Sequence, residues 1–182
     1  LDWNVYLDTA RKTVAEGCVL LKNDNKALPF EKDCRISVFG RIQKHYYKSG
    51  TGSGGMVNVT KVTNIMDGLR ESGAVRINEK LVAVYDEWEK THPYDAGTGW
   101  GNENWSQEEM PLDDSVVSEA AAGSDAAVIV IGRTAGEDRD SSCTGGSFLL
   151  TDIEEQMLEK VCKAFKRVVV LLNVGGIIDM SF

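Results

Sequence analysis

A chain of 182 residues, 42% hydrophobic and 26% charged, has the proportions of a globular domain with a real core, which excludes disorder as its default state. Its formal charge of -8 and pI near 4.8, with no basic patch, argue against a nucleic-acid backbone or an anionic membrane as the main partner. The longest apolar run, residues 126–131, falls far short of the roughly 20 residues that span a bilayer.

Trp3, Leu7, Ala10, Val14, Cys18 and Leu21 recur at steps of three or four, which predicts an amphipathic first helix running to about Asn23. The opening stretch lacks the basic, apolar and small-residue regions of a secretory signal. "NDNKALPF" reads as a turn with a proline stop, and "RISVFG" as a strand entering a glycine turn at Gly40. After the glycine-rich "SGTGSGG", residues 60–71 place Val62, Ile65, Met66 and Leu69 on one helical face, with Gly73 as the stop signal. "AVRIN" is a short strand, and a third helix over 79–90 carries Leu81, Val84, Tyr85 and Trp88 on one face. Residues 91–111, rich in Gly, Asn and aromatics and without a period, form a long loop or insertion, and such loops are uncommon unless functional.

A fourth helix over 113–122 leads into the buried strand 126–131. "TDIE" at 151–154 is a capping-box pattern, and its helix turns Ile153, Met157, Leu158, Val161 and Phe165 inward before a second apolar strand, "VVVLLN". Strands without alternation, separated by amphipathic helices, indicate an α/β fold: a mainly parallel sheet flanked by helices on both faces, an α/β/α sandwich. The chain stops just after a central-type strand, so the final strand and helix elements are expected to be missing and the domain over 1–182 to be a fragment.

Four cysteines, at 18, 34, 143 and 162, lack CxxC pairing or nearby histidines. Three lie in or beside predicted elements, where a free thiol behaves as a small buried hydrophobe. They point to a reducing compartment, a cytoplasmic location, with secretion left open. His45 and His92 have no metal-ligand neighbours at useful spacing, so no metal site is expected.

In open α/β sheets ligands sit outside the carboxyl ends of the strands, and two segments of unusual composition follow strands there. Gly50, Gly52 and Gly55 have literal GxGxxG spacing, but ten residues separate Gly40 from Gly50, and the second strand ends in Asn78 rather than an acid. The context therefore fits a flexible or tightly turned loop better than a dinucleotide turn. The other segment, "GRTAGEDRD" at 132–140, sets Arg133, Glu137, Asp138, Arg139 and Asp140 beside Gly132 and Gly136. It reads either as a solvated loop whose charges pair with one another or as a carboxyl offered from a strand end to a ligand.

Six motifs in order, "ARKTVAEGCVLLKNDNKALPF", "RISVFG", "GSGG", "AAVIVIGRTAGEDRD", "LLTDIEEQMLEKVC" and "VVVLLNVGGIIDMS", resemble the α/β sandwich domain of family 3 glycoside hydrolases, the β-glucosidase family. The resemblance covers nearly the whole chain, with 91–111 the least matched part. It implies a TIM barrel, absent from this chain, that supplies the nucleophilic aspartate, while the sandwich supplies the acid/base glutamate. The family's GEGxDR loop maps that glutamate onto Glu137. Here the loop reads Gly136-Glu137-Asp138-Arg139-Asp140 without the second glycine, shifting the following acid and base by a position. "GEDRD" resembles a bacterial subgroup in which the sandwich precedes the barrel, which makes the expected cytoplasm a bacterial one.

The implied function is part of a retaining β-glycosidase, a β-glucosidase acting on a β-linked glucoside or short oligosaccharide, with Glu137 as general acid/base and no metal or organic cofactor. Such an acid must enter the cycle protonated, which burial beneath a sugar and a neighbouring carboxylate favour. Arg133 and Arg139 are expected to orient the loop or pair with Asp138 and Asp140. Ser53 and Gly54 are placed on the same rim, lining the site. Trp100 and Trp105 either stack on a sugar ring or anchor their own loop. A non-catalytic carbohydrate-binding or assembly module of the same fold, a flavodoxin-like nucleotide or phosphate binder, and a β-xylosidase are the alternatives; a homo-oligomer is left open.

Overall fold

The structure, a computed structural model, describes residues 2–99 and 101–182. Four strands, β1 (Cys34–Phe39), β2 (Val75–Ile77), β3 (Ala126–Arg133) and β4 (Val168–Val174), form one all-parallel sheet in the order β2-β1-β3-β4. Five helices accompany it: α1 (Trp3–Gly17), α2 (Ile65–Ser72), α3 (Glu79–Glu89), α4 (Asp114–Ala122) and α5 (Asp152–Ala164).

β3 is buried at every position, which is why its sequence shows no alternation. Its side chains nevertheless divide between two cores. Ala127, Ile129 and Ile131 pack with Tyr85 of α3, Val117 of α4, and Met157 and Val161 of α5. Ala126, Val128 and Val130 face the other way, toward Met66 of α2 and Ile36 and Val38 of β1. The chain moves outward from β1 to β2 through α2 on one face. It then returns across β1 to β3 and on to β4 through α3, α4 and α5 on the other. Right-handed crossovers running in opposite directions require this change of face. The parallel sandwich expected from sequence is therefore present, with three helices on one face and α2 on the second.

Several boundaries differ from the sequence reading. The first helix ends at Gly17, and Cys18 is already extended, so residues 18–23 do not continue it. Its apolar stripe is not buried against the rest of the chain: Trp3, Leu7 and Val14 are all exposed. α2 begins at Ile65, because Asn64 caps it by accepting from the Asp67 N–H at 2.7 Å, while the residues from Thr60 are not helical. Gly73 does stop that helix, at φ 60°. On α3, Val82 is buried and Val84 exposed, the reverse of the expected face at that turn. β3 runs two residues further than expected, so Gly132 and Arg133 belong to the strand. β4 forms one edge of the sheet, with Val170 and Leu171 exposed. Of the four thiols only Cys34 is buried; Cys18, Cys143 and Cys162 are exposed, contrary to the expectation for cysteines near regular elements.

Candidate functional site

The strand order reverses between β1 and β3: the chain leaves β1 toward β2 on one side and leaves β3 toward β4 on the other. Such a switch point opens a crevice at the carboxyl ends of the two central strands. The two segments singled out by composition follow these strands, and there they meet. Thr51 N–H donates to the Ala135 carbonyl at 2.6 Å, and Ser53 N–H donates to Glu137 Oε2 at 2.9 Å.

Gly52 makes this contact possible. It has φ 95°, and a Cβ added there would come within 2.6 Å of the Glu137 Cβ and closer still to Oε2. A Cβ at Gly50 would come within 2.9 Å of the Ala135 carbonyl oxygen. The glycines therefore serve close approach to the β3 loop, the same property that in other settings admits a phosphate. Ser53 opens a short 3-10 turn to Met56, and Ser53 and Gly54 are both exposed on the rim.

Glu137 is exposed, with one carboxylate oxygen held by a backbone donor. Asp138 takes φ 57° and reverses the chain, and Asp140 is exposed; neither forms an ion pair among the described residues.

Of the two roles expected of the arginines, pairing with these aspartates is not seen among the described residues. Arg133 is turned into the interior, 2% exposed, and lines no open surface with its guanidinium. It forms a two-pronged bond to Glu154, Nη1 to Oε1 and Nη2 to Oε2, both at 2.7 Å. Its remaining donors reach the carbonyls of Gly132, Ser147 and Leu149, so all five N–H groups are used. Glu154 is the same residue that closes the capping box of α5, accepting from Thr151 N–H at 2.8 Å. The ion pair thus fastens α5 to the last residue of β3, immediately before the loop. Arg139 lies over the Trp105 ring, 5.0 Å from its centre, and donates to the Glu103 carbonyl.

Trp105 is half-buried. Its carbonyl accepts from Thr134 N–H at 2.9 Å and one ring face is covered by Arg139, so it anchors the long loop to the β3 loop. Trp100 lies outside the described residues. The long loop is itself pinned by Arg41, a fully buried residue that composition did not flag. Arg41 donates to the carbonyls of Glu108 at 2.9 Å and His92 at 2.6 Å, and sits 4.9 Å above the Trp88 ring, which stacks on His92. Glu109 accepts from the N–H groups of Arg41 and Met110; burial pushes its carboxyl up to about 7 despite those donors.

Among the described residues no group of three His, Cys, Asp or Glu side chains could hold a metal ion. What the rim can offer chemically is an oriented carboxylate, Glu137, fixed from one side by backbone and open on the other.

Residues 18–182 match the family model described as the glycosyl hydrolase family 3 C-terminal domain. The chain is 59% identical over its full length to a β-glucosidase of Ruminococcus albus, of which it covers 19%. Among solved structures, a β-glucosidase from Paenibacillus barengoltzii superimposes with a TM-score of 0.92 at 50% identity, over 96% of this chain and 19% of that one. β-Glucosidase 3B from Thermotoga neapolitana, solved with α-D-glucose, gives 0.85 at 30% identity, over 98% of this chain and 25% of its own. The chain thus spans about a fifth to a quarter of the length of these relatives.

Proposed function

The chain belongs to glycosyl hydrolase family 3, as its C-terminal domain, and from that premise we propose that it contributes the general acid/base, Glu137, to a retaining β-glucosidase. The observation that carries the assignment is local. Of the three acids in the "GEDRD" turn, Glu137 alone has its carboxylate held by the glycine loop at the switch point among the described residues.

A retaining glycosidase needs two carboxyl groups about 5–5.5 Å apart, one to attack the anomeric carbon and one to serve the leaving oxygen. Glu137 takes the second role. Protonated, it gives its proton to the glycosidic oxygen as the C–O bond breaks and the nucleophile forms a glycosyl ester. Ionised, it then takes a proton from the water that attacks that ester, which releases the sugar with retained configuration and restores both carboxyls. The Ser53 N–H holds Oε2 and leaves Oε1, which takes no hydrogen bond among the described residues, to serve the reacting oxygen. The nucleophile is an aspartate of a TIM-barrel domain outside this chain, and the substrate is a β-linked glucoside. The scheme asks for no metal or organic cofactor.

In the intact enzyme, Glu137→Ala should cleave an activated aryl glucoside slowly and be accelerated by external azide, with β-glucosyl azide as the product. Full activity toward unactivated glucosides in that variant would remove Glu137 from the mechanism, as expected if the domain were a non-catalytic module.

A further inference from the structure

The Glu137 carboxylate is aimed by the glycine loop, so whatever fixes that loop fixes the acid. Its apex is held by Thr51 on Ala135 and by Ser53 on Glu137. The incoming segment, residues 47–50, has little beneath it: with residues 133–135 and 173–175 it lines a small cleft of about 130 Å³. Two contacts hold it over that gap. The Tyr47 ring lies on Gly132, where an added Cβ would come within 2.9 Å of it, and the Tyr47 backbone is gripped by Asn173.

Asn173 sits in the last turn of pleat of β4, paired with Gly132 of β3. Its Oδ1 accepts from Tyr47 N–H at 2.6 Å, and its Nδ2 donates to the Tyr47 carbonyl at 3.1 Å. The side chain thus satisfies both backbone groups of one residue as a neighbouring strand would, 126 positions away in sequence. A polar side chain one residue before the end of an otherwise apolar strand is accounted for by this grip. β4 also touches the other half of the site: Gly175 N–H donates to the Arg133 carbonyl at 3.1 Å, and a Cβ at Gly175 would come within 2.6 Å of the Ala135 Cβ.

We infer that Asn173 is a positioning residue for Glu137, acting through the Tyr47 backbone and the glycine loop. This rests on Glu137 being the acid/base. The side chain does not touch the carboxylate, and removing it lets residues 47–50 shift toward the cleft and carry the Ser53 N–H with them. A displacement of about 1 Å at a reacting group costs on the order of 100-fold in rate. The loss falls on the proton-transfer step, because the nucleophile belongs to another domain.

The test uses the intact enzyme with Asn173→Ala and Asn173→Asp; the second keeps the shape and the acceptor but sets an oxygen against the Tyr47 carbonyl. Each is assayed on an alkyl β-glucoside, whose leaving group needs a proton, and on 2,4-dinitrophenyl β-glucoside, whose leaving group does not. Glu137→Gln is run alongside, and thermal midpoints are recorded. The expected result is a kcat/KM on the alkyl glucoside lowered roughly 10- to 100-fold, with kcat/KM on the dinitrophenyl glucoside, which reports only formation of the glycosyl ester, changed by less than about threefold. If Glu137→Gln shows this split and the Asn173 variants lower both substrates alike, or neither, the positioning role is wrong while the acid/base assignment stands. If Glu137→Gln shows no split, the assignment fails and the inference with it. Should Asn173→Ala fail to fold, Asn173→Asp carries the comparison.

Discussion

Replacing Glu154 by glutamine separates the two jobs that residue performs. Glutamine at the same position can still complete the capping box with Thr151, since its carbonyl oxygen accepts what Oε2 accepts now. It cannot neutralise Arg133. The pair is enclosed, with side chains 2% and 6% exposed, so the substitution leaves a guanidinium charge in the interior and turns an amide N–H against one of its donors. Breaking a buried pair from one side costs about 3–5 kcal/mol. With an unfolding entropy of about 2.1 cal/mol/K per residue, a domain of this length loses roughly 8–13 °C of thermal midpoint. Scanning calorimetry on the intact protein reads this as a shift of the transition that contains this domain. The double replacement Arg133→Met with Glu154→Gln removes both charges while keeping the acceptor of the capping box, and is expected to recover most of the loss. A shift below about 3 °C for Glu154→Gln, or a double variant no better than the single one, would refute the claim that charge compensation at this pair holds α5 to β3.

The glycine loop gives a paired comparison. Gly52→Ala must move Glu137 and also adopt φ 95°, so activity toward unactivated glucosides should fall about 100-fold, while Gly17→Ala, at the end of α1, meets nothing within 4 Å and should stay close to wild type. Equal activities in the two variants, read as kcat/KM, would contradict the close approach. For Glu109, burial raises the folded-state carboxyl from 4.5 to about 7, so the folded chain binds more protons than the unfolded one between those values. Its contribution to stability is therefore fully present below about pH 4.5 and lost as pH rises through about 7, a change of order 3 kcal/mol. Urea titrations at a series of pH values should show this slope in wild type and its loss in Glu109→Gln; an unchanged slope would place the titration elsewhere.

The sheet was legible because β3 and β4 are apolar runs of strand length, each preceded by a helix. Thr151 and Glu154 announced the start of α5, and the structure contains that capping box. The first helix is shorter than its spacing predicts, because the three-to-four repeat continues through Cys18 and Leu21 while the backbone is extended from Cys18. The candidate site was legible as two strips of unusual composition at strand ends. Their contact was not, because it depends on β1 and β3 being neighbours and on backbone N–H groups that have no sequence signature. Charge in the "GRTAGEDRD" stretch also misled. Arg133 and Asp140 look alike in a string of polar letters, yet the strand's alternation turns Arg133 inward to Glu154 while Asp140 faces solvent. Asn173 gave the faintest signal of all, one amide closing an apolar run.

The central claim is geometric and one distance tests it: the separation of the Glu137 carboxyl from that of the barrel nucleophile in a structure of the intact protein with a glucoside analogue bound. A retaining mechanism with Glu137 as acid/base predicts about 5–5.5 Å. A separation of 6.5 Å or more, roughly the lower bound for inverting enzymes, or another carboxyl standing in that place, would contradict it.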